Sequence, residues 1–102
     1  MNILEQNKKE IDRLCSQYKV KQLYAFGSVL TDNFNGESDV DLMVAFEAID
    51  LKQYADNYFD FKFALENIFK KPVDLLEEKA IKNPYFLQNI NHHRRLIYGV
   101  IF

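Results

Sequence analysis

The chain has few of the residues that interrupt a backbone: three glycines and two prolines among 102 residues. It has no tryptophan and one cysteine, so an internal disulfide is excluded and a reducing compartment is favoured. With 48% hydrophobic and 27% charged residues, the composition excludes a disordered tail, a collagen-like fibre and a low-complexity segment. The length is that of one ordinary domain, so we expect residues 1–102 to form a single domain.

An excess of charge of one sign is also lacking. Thirteen basic and fifteen acidic residues give a net charge of −2, which does not favour direct nucleic-acid binding through bulk charge. No run approaches the roughly 18–20 apolar residues that span a bilayer, and the first residues show no signal-peptide pattern. We therefore expect a cytoplasmic protein without membrane contact.

Hydrophobic residues recur at helical spacing in some segments and in strand-like runs in others. We predict helices over about 3–17, 50–70 and from Asn83 to about 94 or 95, and strands over Val20–Phe26, Asp39–Phe46, Val73–Leu76 and Leu96–Ile101. We expect Ser28 to cap a short helix after the first strand and Pro72 to mark the end of the long helix. This alternation predicts an α/β fold, with a small mixed sheet of three to four strands packed with helices.

Carboxylates in two predicted strands point to a metal site. Asp39 and Asp41 are two residues apart, so in a strand both leave the same face and repel each other unless a cation lies between them. Paired carboxylates suit Mg²⁺, which completes its shell with water and substrate phosphate. Asp74 adds a third carboxylate, and three could hold two metal ions, as in phosphoryl-transfer enzymes. The alternative is that Asp39 caps a turn and Asp74 pairs with a lysine.

Gly27 and Ser28 lie where the first strand ends and a short helix begins. Backbone N–H groups at such a junction bind anions, and glycine lets a phosphate approach the chain. An ordinary turn would explain this pair by itself. Because the carboxylate strand follows ten residues later, we interpret the pair as a phosphate cradle beside a cation site. We expect Gly36 to turn the intervening loop back toward Asp39.

Other polar patterns give weaker evidence of a binding site. Residues 31–42 depart from a calcium loop because the first position is threonine and the twelfth is leucine. His92 and His93 are adjacent, so on a helix they cannot chelate one metal ion. We interpret the run His92-His93-Arg94-Arg95 as complementing the helix dipole, with nucleotide or partner contact as the alternative.

Aromatic residues make up 15% of the chain, and most lie on the core stripe of the long predicted helix. We interpret that stripe as packing rather than as a base-stacking surface. Phe59 and Phe63, together with Ala55, form a second row beside it. This row is a candidate surface for a partner protein or for self-association as a homo-oligomer.

Residues 24–28 (YAFGS) and 39–42 (DVDL) together resemble the signature of the DNA polymerase β-like nucleotidyltransferase superfamily. Within it, the short chain resembles the minimal nucleotidyltransferases (MNT), which are commonly encoded beside HEPN-domain partners. The resemblance covers essentially the whole chain, and residues 73–75 resemble the strand of the third carboxylate. Val29 and Leu30 stand where many members have arginine and alanine, which removes one contact to phosphate or acceptor.

The resemblance implies transfer of a nucleoside monophosphate, AMP from ATP, to a hydroxyl of a macromolecular acceptor. It further implies an antitoxin that acts on a HEPN-type toxin. In that reading Asp39, Asp41 and Asp74 are catalytic and hold two Mg²⁺ ions, and Gly27 and Ser28 bind the nucleoside triphosphate. Two alternatives stay open: a non-catalytic binding module that neutralises its partner by occlusion, and a two-metal nuclease.

Overall fold

The computed structural model describes residues 2–100, which form one four-stranded sheet with helices on both faces. The helices are α1 (Ile3–Gln6), α2 (Lys8–Gln17), α3 (Leu51–Phe69) and α4 (Pro84–His93). The strands are β1 (Val20–Phe26), β2 (Val40–Phe46), β3 (Val73–Glu77) and β4 (Arg95–Tyr98). Short 3₁₀ helices follow β1 at Gly27–Leu30 and β3 at Glu78–Ala80. The predicted α/β fold is confirmed.

The strand order is β3-β2-β1-β4, in which β2 and β3 are parallel and the other neighbours are antiparallel. A parallel pair needs a long crossover connection, and α3 supplies it. The end of β1 therefore meets the start of β2, and the starts of β2 and β3 lie side by side. This arrangement brings the two predicted motifs to one edge of the sheet.

The two faces of the sheet are covered unequally. One face packs on α2 and α3 and forms the main core, which includes Leu23, Ala25, Leu42, Val44, Ile11, Leu14, Phe61 and Leu65. The other face carries a small cluster of Tyr24, Met43 and Ile90 beneath α4. Because strand side chains alternate, Phe26 and Asp41 lie on the same face as Tyr24 and Met43. The sparsely covered face is thus the one that holds the carboxylates.

Local sequence signals explain most helix boundaries. The Asn83 side chain accepts hydrogen bonds from the N–H groups of Tyr85 and Phe86, with Pro84 in the first turn, as predicted. Helix α3 ends at Lys70, which adopts the left-handed conformation (φ 57°) two residues before Pro72. The predicted first helix is interrupted at Asn7, which ends α1 and precedes α2.

Three expectations about the elements are wrong. The 3₁₀ helix after β1 begins at Gly27 without a side-chain cap, so Ser28 lies inside it. Asp39 directly precedes β2 rather than belonging to it. β4 ends at Tyr98, and Ile101 lies outside the described residues. Gly99 follows at φ 99°, and a Cβ atom there would also meet the carbonyl of Lys21. Within residues 2–100, no helix has the length and apolar character needed to cross a membrane.

Candidate active site

Asp41 and Asp74 are direct partners in the register of the parallel strands β2 and β3. Asp39 lies just before β2, so the sheet brings all three predicted carboxylates to one edge. Asp41 is half-buried, whereas Asp39 and Asp74 are exposed. Burial raises the pKa of Asp41, and the charges of Asp74 and Asp39 raise it further. The ionised cluster is therefore self-repelling, and a bound cation would relieve that repulsion.

The donor set at this edge consists of oxygen ligands, which suit a hard cation. Within the part of the chain that the structure describes, no three His, Cys, Asp or Glu side chains are already arranged to hold a metal ion. Mg²⁺ binds through one or two protein carboxylates and takes its other oxygens from water and phosphate. The residues Asp39, Asp41 and Asp74 thus fit a magnesium site that substrate completes, rather than a closed protein cage.

Gly27 lies directly against the carboxylate of Asp41. A Cβ atom on Gly27 would be 2.5 Å from the Asp41 Oδ2, and the residue has φ 74°, which favours glycine. Both constraints make glycine necessary at this position. A phosphate bound to the backbone here would be close to Asp41, so the two sequence motifs form one site.

The two residues that follow Gly27 differ in their surroundings: the Ser28 hydroxyl is available to a ligand, whereas Val29 is buried in the core. The Ser28 carbonyl accepts hydrogen bonds from the Thr31 N–H and the Thr31 hydroxyl, both at 2.9 Å. The Ser28 hydroxyl has no hydrogen-bond partner within residues 2–100, so it is free to donate to a ligand. Val29 is buried in the main core and is 3% exposed. The position where many members have arginine is therefore a packing position in this chain.

The loop that leads to Asp39 is held by Lys71, a residue that sequence reasoning missed. The Lys71 Nζ donates to the carbonyls of Asn35 at 2.7 Å and Ser38 at 3.2 Å. It also lies 4.9 Å from the centre of the Phe34 ring, within cation–π range. The only sequence signal was a lysine just before Pro72, at the end of the long helix. Lys71 thereby fixes the residue that precedes Asp39.

Gly36 does not need to be glycine. A Cβ atom there would have no heavy atom within 4 Å, and its φ is not positive. The turn over residues 35–38 is closed by a hydrogen bond of 3.1 Å from the Ser38 N–H to the Asn35 carbonyl, and the Asn35 side chain accepts one of 2.8 Å from the Glu37 N–H. Gly36 lies in this turn before Asp39, as expected, although the turn does not require a glycine.

Helix α3 also fixes the strand that carries Asp74. The Glu66 carboxylate accepts a hydrogen bond of 2.9 Å from the Val73 N–H, and the Tyr58 hydroxyl donates to the Leu75 carbonyl. Burial raises the pKa of Tyr58, and the charges of Asp74 and Glu77 add to this shift. Tyr58 packs partly buried against the main core, and its hydroxyl also positions the residue next to Asp74.

The basic run at the end of α4 has several roles. His92 and His93 occupy the last turn of the helix, as the interpretation of the helix dipole requires. The Arg94 guanidinium lies 3.8 Å from the centre of the Tyr24 ring and 3.7 Å from the Glu78 carboxylate. Arg95 begins β4 and pairs with Ala25. Arg94 therefore packs α4 onto the sheet, and His93 is the residue of this run that borders a cleft beside Gly27.

Comparison with known sequences identifies the family of the chain. The family profile described as "Polymerase beta, Nucleotidyltransferase" matches residues 9–100. A protein of Methanocaldococcus jannaschii, provisionally named a protein adenylyltransferase, is 35% identical over 88 residues, which are 86% of this chain and 84% of that protein. A second M. jannaschii protein with the same provisional name is 33% identical over 89 residues, which are 87% of this chain and 85% of that protein.

Solved structures share the fold. One, provisionally described as a minimal nucleotidyltransferase, has a TM-score of 0.76 and 25% identity and covers 93% of this chain and 95% of its own. A toxin–antitoxin structure with AMP-PNP has a TM-score of 0.71 and 21% identity, over 92% of this chain and 74% of that one. A complex of a tri-AMPylated Shewanella oneidensis HEPN toxin with MNT antitoxin has a TM-score of 0.65 and 20% identity, over 95% and 73%. With its fold, its Gly-Ser turn against an aspartate strand and this sequence match, the chain belongs to the polymerase β nucleotidyltransferase family.

Proposed function

We propose that this protein transfers AMP from ATP to a hydroxyl group of a protein acceptor. The observation that carries the proposal is the contact between the Gly27 backbone and the Asp41 carboxylate, with Asp74 paired beside Asp41. This contact supports the proposal, because a triphosphate bound at the Gly27 turn would lie beside carboxylates that could bind its cation. A two-metal nuclease, the alternative from another class, would not need the Gly-Ser cradle.

Each residue of the site has a role in this reaction. The backbone N–H groups of Gly27 and Ser28, with the Ser28 hydroxyl, hold the β- and γ-phosphate oxygens. Asp39 and Asp41 would hold Mg²⁺, and Asp74 would complete a second magnesium site. The metal would supply positive charge that stabilises the developing negative charge of the reaction.

The transfer itself is an in-line substitution at the α-phosphorus. The acceptor hydroxyl oxygen forms a bond to that phosphorus, the bond to the bridging α–β oxygen breaks, and pyrophosphate leaves. The hydroxyl proton moves toward the carboxylate of Asp74, which is exposed on the edge strand β3 and thus reachable by an acceptor. The exposure of Asp74 suits an acceptor that is itself a macromolecule.

The relatives support the class of acceptor. The M. jannaschii proteins bear the name protein adenylyltransferase, and the Shewanella MNT antitoxin is bound to an AMPylated HEPN toxin. By this analogy we infer a HEPN-type toxin as partner and acceptor, in the cytoplasm, where ATP and Mg²⁺ are present.

An exposed apolar row on α3 is the surface that we assign to the partner. It consists of Leu51, Ala55, Phe59 and Phe63, which follow one another at intervals of four along one side of the helix. The Phe59 and Phe63 side chains are 48% and 58% exposed, and their rings are stacked at 6.2 Å. The Phe59 ring also contacts the Tyr58 ring at 5.1 Å, and about half of each phenylalanine stays accessible to a partner. Self-association through the same row is the alternative.

The test of the proposed function follows a label from ATP to protein. The purified protein is incubated with Mg²⁺, ATP labelled in the α-phosphate and the product of the adjacent gene. We expect the label to move onto that product, and the double variant Asp39→Asn/Asp41→Asn to abolish the transfer. Absence of transfer by the wild type, together with tight binding of the partner by the double variant, would instead establish a non-catalytic binding module.

A further inference from the structure

A cleft of about 470 Å³ opens beside Gly27, between the 3₁₀ helix Gly27–Leu30 and the C-terminal half of α4. This volume lies within the range of about 300–1,000 Å³ that small-molecule sites occupy. A second cleft of about 440 Å³ lies between α1 and β4, but it contains none of the site residues. Only the first of these two clefts shares a residue with the phosphate cradle.

The position of the cleft relates it to the donor nucleotide. Gly27 forms part of its wall and also lies against Asp41, which in the proposed function would hold Mg²⁺ beside the α-phosphate. The nucleoside continues from the α-phosphate, at the end of the triphosphate away from the terminal phosphates that the Gly27–Ser28 turn would hold. The cleft thus reaches Asp41 through Gly27, where the α-phosphate and its nucleoside would be accommodated.

The lining of the cleft has the chemistry of a base-binding site. Phe26, Leu30 and Ile90 supply apolar surface, and the His93 ring at the rim can stack on a base. The Asn89 carboxamide is exposed and has no hydrogen-bond partner within the described range 2–100. An asparagine side chain pairs through two hydrogen bonds with the edge of adenine.

We propose that this cleft binds the nucleoside of the donor, with Asn89 hydrogen-bonded to the adenine edge and His93 stacked on the base. The proposal rests on the proposed function, because it takes the triphosphate to lie at Gly27, Ser28 and the carboxylates. It assigns to Asn89 the preference for ATP over other nucleoside triphosphates. The Thr31 hydroxyl is not assigned this role, because it already donates to the Ser28 carbonyl.

Calorimetric titration with ATP, GTP and tripolyphosphate, each with Mg²⁺, tests this assignment. We expect the wild type to prefer ATP over GTP by roughly 5- to 150-fold, the range that a two-hydrogen-bond base contact provides. In Asn89→Ala this preference should be lost while the affinity for tripolyphosphate stays unchanged. The matched control is Asn91→Ala, which is exposed on the same helix, borders a different depression and should bind like the wild type.

The outcomes separate this proposal from the proposed function. An unchanged preference for ATP in both Asn89→Ala and His93→Ala would overturn the assignment of the cleft. The proposed function would still stand in that case if Asp39→Asn/Asp41→Asn abolished ATP binding. A wild-type protein that bound neither ATP nor tripolyphosphate would overturn both proposals.

Discussion

The α-carbon of Gly27 faces the carboxylate of Asp41 so closely that an added Cβ atom would lie 2.5 Å from its Oδ2. Antiparallel pairing of β1 and β2 produces this approach, because Phe26 is the register partner of Asp41 and Gly27 follows at the strand end. The two halves of the family signature thus meet across two neighbouring strands. This contact explains why a glycine is required at this position.

Replacement of Gly27 by alanine should therefore damage both stability and ligand binding. Gly27→Ala places a side chain at φ 74° and against Asp41, and we expect a loss of about 1–3 kcal/mol in the free energy of unfolding. Urea denaturation and ATP titration measure the two effects. The control is Gly36→Ala, where nothing lies within 4 Å and the change should stay within about 0.5 kcal/mol. Equal behaviour of the two variants would contradict this account.

The carboxylate cluster should cost the metal-free protein stability near neutral pH. Burial and the charges of Asp74 and Asp39 raise the pKa of Asp41 in the folded protein above its value in the unfolded chain. Protonation of Asp41 therefore stabilises the folded protein at low pH, and this contribution is lost as pH rises through the folded-state pKa. Without metal, Asp41→Asn should have a higher Tm than the wild type at pH 7, and this advantage should disappear below the ordinary aspartate pKa of 3.8.

Thermal melts across pH in EDTA check this prediction, and Mg²⁺ should then raise the Tm of the wild type more than that of Asp41→Asn. Asp60→Asn, an exposed position on α3, serves as the control and should show neither effect. A lower metal-free Tm for Asp41→Asn at pH 7 would show that the charge of Asp41 is compensated in the folded protein.

Lys71 should matter for catalysis although it is outside the signature. Lys71→Met removes the hydrogen bonds to the Asn35 and Ser38 carbonyls and frees the loop before Asp39. Because small displacements of catalytic groups cost up to about 100-fold in rate, we expect AMP transfer to fall by about 10- to 100-fold. Lys52→Met, exposed in the first turn of α3, should retain the wild-type rate in the same assay. Equal rates for both variants would show that Lys71 does not position the loop before Asp39 for catalysis.

The apolar row on α3 should bind the partner without supporting the fold. Phe59 and Phe63 are 48% and 58% exposed, so Phe59→Ser/Phe63→Ser should change the free energy of unfolding of the isolated chain by less than about 1 kcal/mol. Partner affinity, measured by calorimetry, should fall by at least 10-fold, because each buried aromatic contributes about 1 kcal/mol or more. Tyr85→Ser, at a residue 82% exposed on α4, is the control. Retained affinity in the double variant would place the partner elsewhere.

Much of the site follows from strand periodicity, and the rest depends on packing. Strand alternation predicts that Asp39 and Asp41 leave the same face, and in the structure the charge of Asp39, just before β2, acts on Asp41. The parallel register brings Asp74 beside Asp41. The contacts of Lys71 and the position of Asn89 in the cleft could not be predicted, because both depend on how α3 and α4 pack against distant loops. For Ser28 a prediction was made but was wrong, because this good capping residue lies inside a 3₁₀ helix that begins one residue earlier, at Gly27.

The glycines show the same division between local and tertiary causes. Gly36 lies in the turn that its sequence context predicts, yet a Cβ atom there would meet no heavy atom within 4 Å, so the turn does not require a glycine. Gly99 carried no functional signal, yet a Cβ atom there would lie 2.3 Å from the carbonyl of Lys21. Only a folded sheet brings those two backbones together.

The central claim is transfer of the α-phosphate with its nucleoside, and the position of a radioactive label tests it most directly. Wild-type protein, Mg²⁺ and the partner are incubated in parallel with ATP labelled in the α-phosphate and with ATP labelled in the γ-phosphate. We predict that only the α label becomes bound to protein and that the γ label appears in pyrophosphate. Protein-bound γ label would contradict nucleotidyl transfer and identify phosphoryl transfer instead.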